Sequence, residues 1–164
     1  SGELLNLEGE DKSKFDTYRQ MLIDNEINLL DICEKEDLIL TTANIAPLSH
    51  WITPEFEARR FDTRFFIAYL PENQIVQHDG MELTHSLWIS PNLALKKALE
   101  GEMQMILPTT ENLKSCMNFK SATIMLDNQK KLTKNDIKPI LPKFYKENDT
   151  WKVLFPGDDG YEDH

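Results

Sequence analysis

The apolar positions change period three times along the chain. Between residues 11 and 24, Phe15, Tyr18 and Leu22, with Met21 alongside, recur at helical spacing and put one sticky stripe on a helix. A second short helix is predicted over 26–35, with Asp24 or Asn25 as its cap and Ile27, Leu30 and Cys33 facing inward. The two read as a helical hairpin. Leu38, Ile39 and Leu40 follow, a run too short for its period to separate a strand from a helix end.

The period then shortens. His50 to Thr53 reads as a short strand closed by Pro54, and Arg64 to Leu70 as a longer one rich in aromatic and apolar residues. Pro71 to Asn73 is a turn, Gln74 to His78 a candidate short strand, and 79–82 a loop containing Gly80. Ser86 to Ile89 is read as another strand, ended by Ser90-Pro91. Helical spacing returns there. Ser90 suits an N-cap and Pro91 a first helical position, with Leu93, Leu95, Ala98 and Leu99 available for packing up to about Glu100 and Gly101 as the stop. Met103 to Leu107 is ambiguous. Thr109 or Thr110 is expected to cap a helix through Met117, and Ser121 to start one through Leu126. Lys130 to Asn135 is a polar link, and 136–164 reads as an extended arm with a strand near Trp151 to Phe155. The expected organisation is an α/β domain over 1–135, with its helical insertion at about 11–35, and an arm over 136–164 that packs on it.

Composition narrows the field. At 164 residues and 40% hydrophobic content, the chain is long enough for one domain with a core. A net charge of −10 argues against general binding to nucleic acid or to an anionic membrane. No apolar run approaches the length of a bilayer span, and no signal peptide is visible. Cys33 and Cys116 share no metal or disulfide spacing and read as reduced thiols of a cytoplasmic protein. Walker loop, Gly-x-Ser-x-Gly, dinucleotide fingerprint and zinc pattern are all absent, and the four histidines have no ligand spacing.

The charge pattern singles out one stretch. Arg59, Arg60 and Arg64 surround Asp62 directly before an apolar strand. Asp62 can neutralise one or two of them, and the surplus suits phosphate, because a guanidinium fork matches two oxygens at once. A structural ion pair with Asp62, Glu55 or Glu57 is the competing use of each arginine. Trp51 and Trp88 could stack on a base or flank an acyl chain, or could be core. Glu82 sits in a loop as a metal-ligand candidate, with a solvated loop carboxylate as the alternative.

Trp51-Ile-Thr-Pro54 and Arg59-Arg-Phe-Asp-Thr-Arg-Phe-Phe66 together resemble the Nudix hydrolase subgroup that includes peroxisomal coenzyme A diphosphatases. Glu82, Leu87-Trp88-Ile-Ser-Pro91, Ala94-Leu95, Pro108-Thr109-Thr110 and Pro156-Gly157-Asp158 with Tyr161 follow in matching order. The resemblance covers nearly the whole chain. It implies an α/β/α sandwich with a mixed sheet and a helical insertion. It also implies hydrolysis of a diphosphate linkage in coenzyme A or acyl-CoA, giving 3′,5′-ADP and phosphopantetheine products, with Mg²⁺ or Mn²⁺ as cofactor. Arg59, Arg60 and Arg64 would orient phosphates and Glu82 would serve at the metal. Ser1-Gly2 resembles the end of the Nudix box or a cloning remnant, with Glu3 where the family has a bulky apolar residue. The box glutamates, in Arg-Glu-x-x-Glu-Glu, are expected upstream, so this chain alone is expected to be inactive. A non-catalytic Nudix-like binding or interaction module is the alternative. Strands left without partners would favour association, and a homodimer stands among the expected assemblies.

Overall fold

A computed structural model describes all residues except 1–4, 6, 8, 72, 73, 81, 82, 84 and 164. The chain forms two compact units, Ser1–Ala43 with Leu70–Trp88, and Asn44–Tyr69 with Ile89–His164.

The first unit carries the helical hairpin. Helix α1, Gly9–Ile23, buries Tyr18, whose ring meets Phe15 edge-on at 5.6 Å. The Tyr18 hydroxyl donates to Glu36 Oε1 at 2.6 Å, and Lys14 also pairs with Glu36. Helix α2, Leu29–Lys35, starts later than its spacing suggests. The cap is Asn28, not Asp24 or Asn25: Asn28 accepts from the Asp31 N–H while Asp31 reaches back to the Asn28 N–H. Asn25 instead sits at φ 57 in the turn after α1, a left-handed position that asparagine tolerates. The later start moves the inward face, so Ile32 is buried at 3% exposure and Leu30 is exposed. Leu38 to Leu40 adopt neither helix nor strand. Gln74–His78 and Ser86–Ile89, expected as strands, pair with nothing in either sheet, and Ile75 and Leu87 are open to solvent. Apolar content alone does not make a strand, since an unpaired extended segment leaves its backbone groups to water.

The second unit is built on a mixed sheet in the order β2-β1-β3. Strand β1 is Ile45–Ile52, β2 is Asp62–Ala68 and β3 is Pro139–Ile140. Strands β1 and β2 are antiparallel, with Ile45 opposite Ala68, His50 opposite Arg64 and Ile52 opposite Asp62. A register shift between Pro47 and Ser49 leaves Leu48 as the extra residue, and β1 continues through Pro47, opposite Phe66, to Ile45. Strand β3 runs parallel to β1, with Trp51 opposite Ile140.

Helix α3, Pro91–Leu99, starts as its sequence predicts, with Ser90 Oγ accepting from the Leu93 N–H at 3.3 Å. Gly101, at φ 77, follows its end. Helix α4, Leu107–Cys116, starts at Ile106 with no side-chain cap. Pro108 supplies the start by fixing φ in the first turn, so Thr109 and Thr110 lie inside the helix and do not cap it. Helix α5, Ala122–Gln129, is capped by Ser121 through the Ile124 N–H. The tail holds more strand than expected. Besides β3, strands β4, Lys143–Glu147, and β5, Thr150–Leu154, form a hairpin. Its two-residue turn, Asn148-Asp149, has both φ angles positive, 46° and 59°, as a tight antiparallel connection requires.

The core of this unit gathers Ala46, Trp51, Ala94, Met125 and Leu126, with Asn112 as the buried polar residue. No helix among the described residues is long and apolar enough to cross a membrane.

Candidate functional site

The β1–β2 connection turns on Thr53. Its N–H donates to the Phe61 carbonyl at 3.0 Å, its hydroxyl accepts from the Phe61 N–H at 3.0 Å, and its carbonyl accepts from Arg60 Nε at 3.0 Å. Three bonds at one residue fix the loop that carries Arg59 and Arg60. Arg59 lies over the Phe61 ring at 4.9 Å. Arg64, on β2, donates from Nη1 to Asp62 Oδ1 at 3.0 Å. The three arginines thus engage three different partners: an aromatic face, a backbone carbonyl and a carboxylate.

Asp62 has a second partner. His50 Nε2 lies 2.7 Å from the same Oδ1. The cause is register, because His50 stands opposite Arg64 and Asp62 is two residues away on the same face of β2. The Asp62 carboxylate thus bridges the His50 imidazole and the Arg64 guanidinium through one oxygen.

His50 and Arg64 line a cavity of about 570 Å³ between the β1–β2 ladder and the segment Leu132–Pro139. Its wall is mainly apolar, with Phe65, Phe66 and Ile137, and its cations are Arg64, Lys134 and Lys138. No carboxylate lines it, although the chain carries 28 acidic residues. Asp136 stands in the same segment, where Thr133 hydrogen bonds and the Lys138 charge hold its carboxyl below the usual range.

Beneath the ladder, Trp51 is 4% exposed. Its Nε1 donates to Ser49 Oγ at 3.0 Å and approaches Asn112 Oδ1 at 3.4 Å, and Ser49 Oγ donates to Asn112 Oδ1 at 2.6 Å. Phe155 meets the indole edge-on at 6.1 Å. The Trp51 ring is therefore enclosed by protein, with no open face for a ligand. Trp88, in the other unit, is 78% exposed and keeps the open face that stacking needs.

Glu82 lies outside the described residues. Among the described residues no three His, Cys, Asp or Glu side chains converge as metal ligands. The described side chains alone do not fit a divalent ion, which needs several hard oxygen donors around it.

Sequence reasoning singled out Arg64 but not His50 as its neighbour, nor Lys134 and Lys138. The first omission had a readable signal: His50 and Asp62 flank a Pro-containing connection, and antiparallel pairing across it puts them on adjoining strands. The lysines had none, because β3, which brings their segment against β1, is only two residues long.

The family model described as the NUDT19 Nudix domain matches residues 3–115. The matched range includes Arg59, Arg60, Arg64, Trp51, Glu82 and Trp88 and stops before the lysines of the cavity. The acyl-coenzyme A diphosphatase NUDT19 of Xenopus laevis is 29% identical over 97 residues, 57% of this chain and 26% of that protein. The chain thus spans about a quarter of this relative's length. No solved structure matches the chain.

Proposed function

Because the chain belongs to the NUDT19 Nudix domain family, we propose that it is the part of a Nudix hydrolase that holds a diphosphate substrate of the coenzyme A or acyl-CoA class. The observation that carries this reading is the cavity: three cations and no carboxylate on an apolar wall, in a chain of net charge −10. A diphosphate needs the cations, and a pantetheine or acyl arm suits the apolar wall. The relative's printed activity, acyl-coenzyme A diphosphatase, is of the same class.

In this reading Arg64 holds phosphate oxygens, and Asp62 positions its guanidinium. Arg60 positions the β1–β2 connection through Thr53, and Arg59 adds charge beside it. Trp51 acts from beneath, by holding β1 flat against α4 through Ser49 and Asn112. When bound, Mg²⁺ or Mn²⁺ would polarise the diphosphate and activate water. Glu82 is the proposed carboxylate of this chain at that metal. The 164 residues contain no Arg-Glu-x-x-Glu-Glu, so turnover is proposed to need the box glutamates of the whole gene product, and this chain alone is proposed to bind without hydrolysis.

The test measures binding and turnover separately. Calorimetry with coenzyme A should show binding to the 164-residue chain, weakened by Arg64→Ala. Chromatography should show 3′,5′-ADP released by the full-length gene product with Mg²⁺ and not by this chain. Metal-dependent turnover by the chain alone refutes the division of labour. Binding without turnover in both proteins favours a non-catalytic module.

A further inference from the structure

We propose that Lys134 and Lys138 form a subsite for a phosphate monoester, through which the cavity selects diphosphate substrates whose ribose carries a further phosphate at its 3′ position. The inference rests on the coenzyme A reading above and names the part of that substrate which these two residues take. Both lysines line the same cavity as Arg64. They lie beyond residue 115, where the match to the Nudix family model ends, so the match assigns them no role.

The sheet register sets the cations on two walls. Arg64 stands opposite His50, and His50 stands opposite Pro139, so one row crosses β2, β1 and β3. Its ends are two strand spacings apart, about 10 Å. Lys138 directly precedes Pro139, and Lys134 lies on the same segment. Coenzyme A carries its 5′-diphosphate and its 3′-phosphate on one ribose, so a single cavity has to receive both. Arg64 at one end of the row and the lysines at the other leave the space between them for the sugar.

The two kinds of cation suit the two kinds of phosphate. A diphosphate joined at both ends carries one charge on each phosphate. A terminal monoester concentrates roughly −1.5 to −2 on three free oxygens at neutral pH. The Arg64 guanidinium is a planar fork, already oriented by Asp62 at 3.0 Å. A lysine ammonium is a compact charge whose donors rotate, and two of them match a dianion. Among the described residues neither lysine forms an ion pair. Asp136 stands between them in sequence, but its Oδ2 accepts from the Thr133 N–H at 2.7 Å and from the Thr133 hydroxyl at 2.6 Å. Those bonds turn the carboxylate onto its own segment and not onto either ammonium. The like charges that share the cavity wall are thus left for a bound anion to neutralise.

The test compares substrates that differ only in the 3′-phosphate. The full-length gene product with Mg²⁺ should turn over coenzyme A with a kcat/KM roughly tenfold or more above that for 3′-dephospho-coenzyme A, with the difference in KM. Lys134→Gln combined with Lys138→Gln should lower kcat/KM for coenzyme A far more than for the dephospho compound, and so collapse the preference. Arg64→Ala should lower both alike. Should the double variant fail to fold, each single variant is read by the same ratio. Calorimetry on the 164-residue chain gives a reading without turnover: 3′,5′-ADP should bind more tightly than AMP, and the lysine variant should bind the two equally. Turnover of both substrates with no preference overturns the subsite and leaves the hydrolase reading standing. A preference that survives loss of both lysines, or equal wild-type affinity for 3′,5′-ADP and AMP, also overturns it. Wild-type failure to turn over or bind either coenzyme removes the underlying reading and this inference with it.

Discussion

Trp51 shows how one side chain can link a motif to a scaffold. Its indole is packed edge-on against Phe155, and its N–H is satisfied by Ser49 with Asn112 behind it. Removing the ring forfeits burial and leaves a cavity, which for tryptophan to alanine costs about 3–5 kcal/mol. Trp51→Ala is therefore expected to lower the free energy of unfolding by that order, read as a fall in the urea midpoint at unchanged slope. Asn112→Ala should cost less, about 1–3 kcal/mol, because Trp51 retains its bond to Ser49. Equilibrium denaturation of both variants ranks them, and equal costs would refute the layered arrangement. At this scale the sequence was readable for type but not for direction. Arg59, Arg60 and Arg64 stand within six positions, yet their partners are a ring, a carbonyl and a carboxylate. Which one each arginine takes depends on where the β1–β2 connection turns, and no local rule of spacing contains that.

Elements were legible where a cap or a turn residue carries its own hydrogen bond. Ser90 and Ser121 start α3 and α5 as read, because each side chain accepts a backbone N–H of the first turn. The β4–β5 hairpin was missed although Asn148-Asp149 is a recognisable left-handed pair. That turn makes a testable contest. Asp149 at φ 59 carries a left-handed cost of up to about 1–2 kcal/mol for an ordinary residue, less for aspartate. Its pair with Lys146, at 3.1 Å and on the surface, is worth about 0–1 kcal/mol. Relief of the backbone should win, so Asp149→Gly is expected to raise stability by roughly 0.5 kcal/mol. A thermal melt that falls would show that the ion pair outweighs the strain. The α1–α2 hairpin offers a pH test. Bonds from Lys14 and then Tyr18 hold the Glu36 carboxyl below its ordinary value of 4.5. A lowered folded value stabilises above the unfolded one and is lost as pH falls through the folded one. Acid below about pH 4.5 should loosen the hairpin, and Glu36→Gln should flatten that dependence in far-ultraviolet circular dichroism. An unchanged acid limb in the variant would mean that another carboxylate controls it.

The distribution of buried apolar side chains differs between the two units, and this governs how the whole molecule opens. Among the described residues, Tyr18 and Ile32 are the buried hydrophobics of the first unit. The second holds Ala46, Trp51, Ala94, Met125 and Leu126, with Ser49, Asn112 and Ser115 bonded among them. That imbalance was invisible in the sequence, because Phe15, Leu22, Leu30 and Leu38 give the first unit as apolar a pattern as the second. Pattern says which residues can be buried, while the number of elements packed over them decides which are. Local opening follows burial and not apolar content, since exposed leucines lose nothing when a segment unfolds. Amides of α1 and α2 are therefore expected to exchange through local opening, at free energies well below that of global unfolding. Amides of β1 around Trp51, and of α5 around Met125 and Leu126, should exchange only with global unfolding. Native-state hydrogen exchange at rising urea separates the two classes, because local opening exposes little surface and shows almost no urea dependence. Equal protection and equal urea slopes in α1 and β1 would show that the chain opens as one cooperative block. The division into units would then be geometric and not energetic.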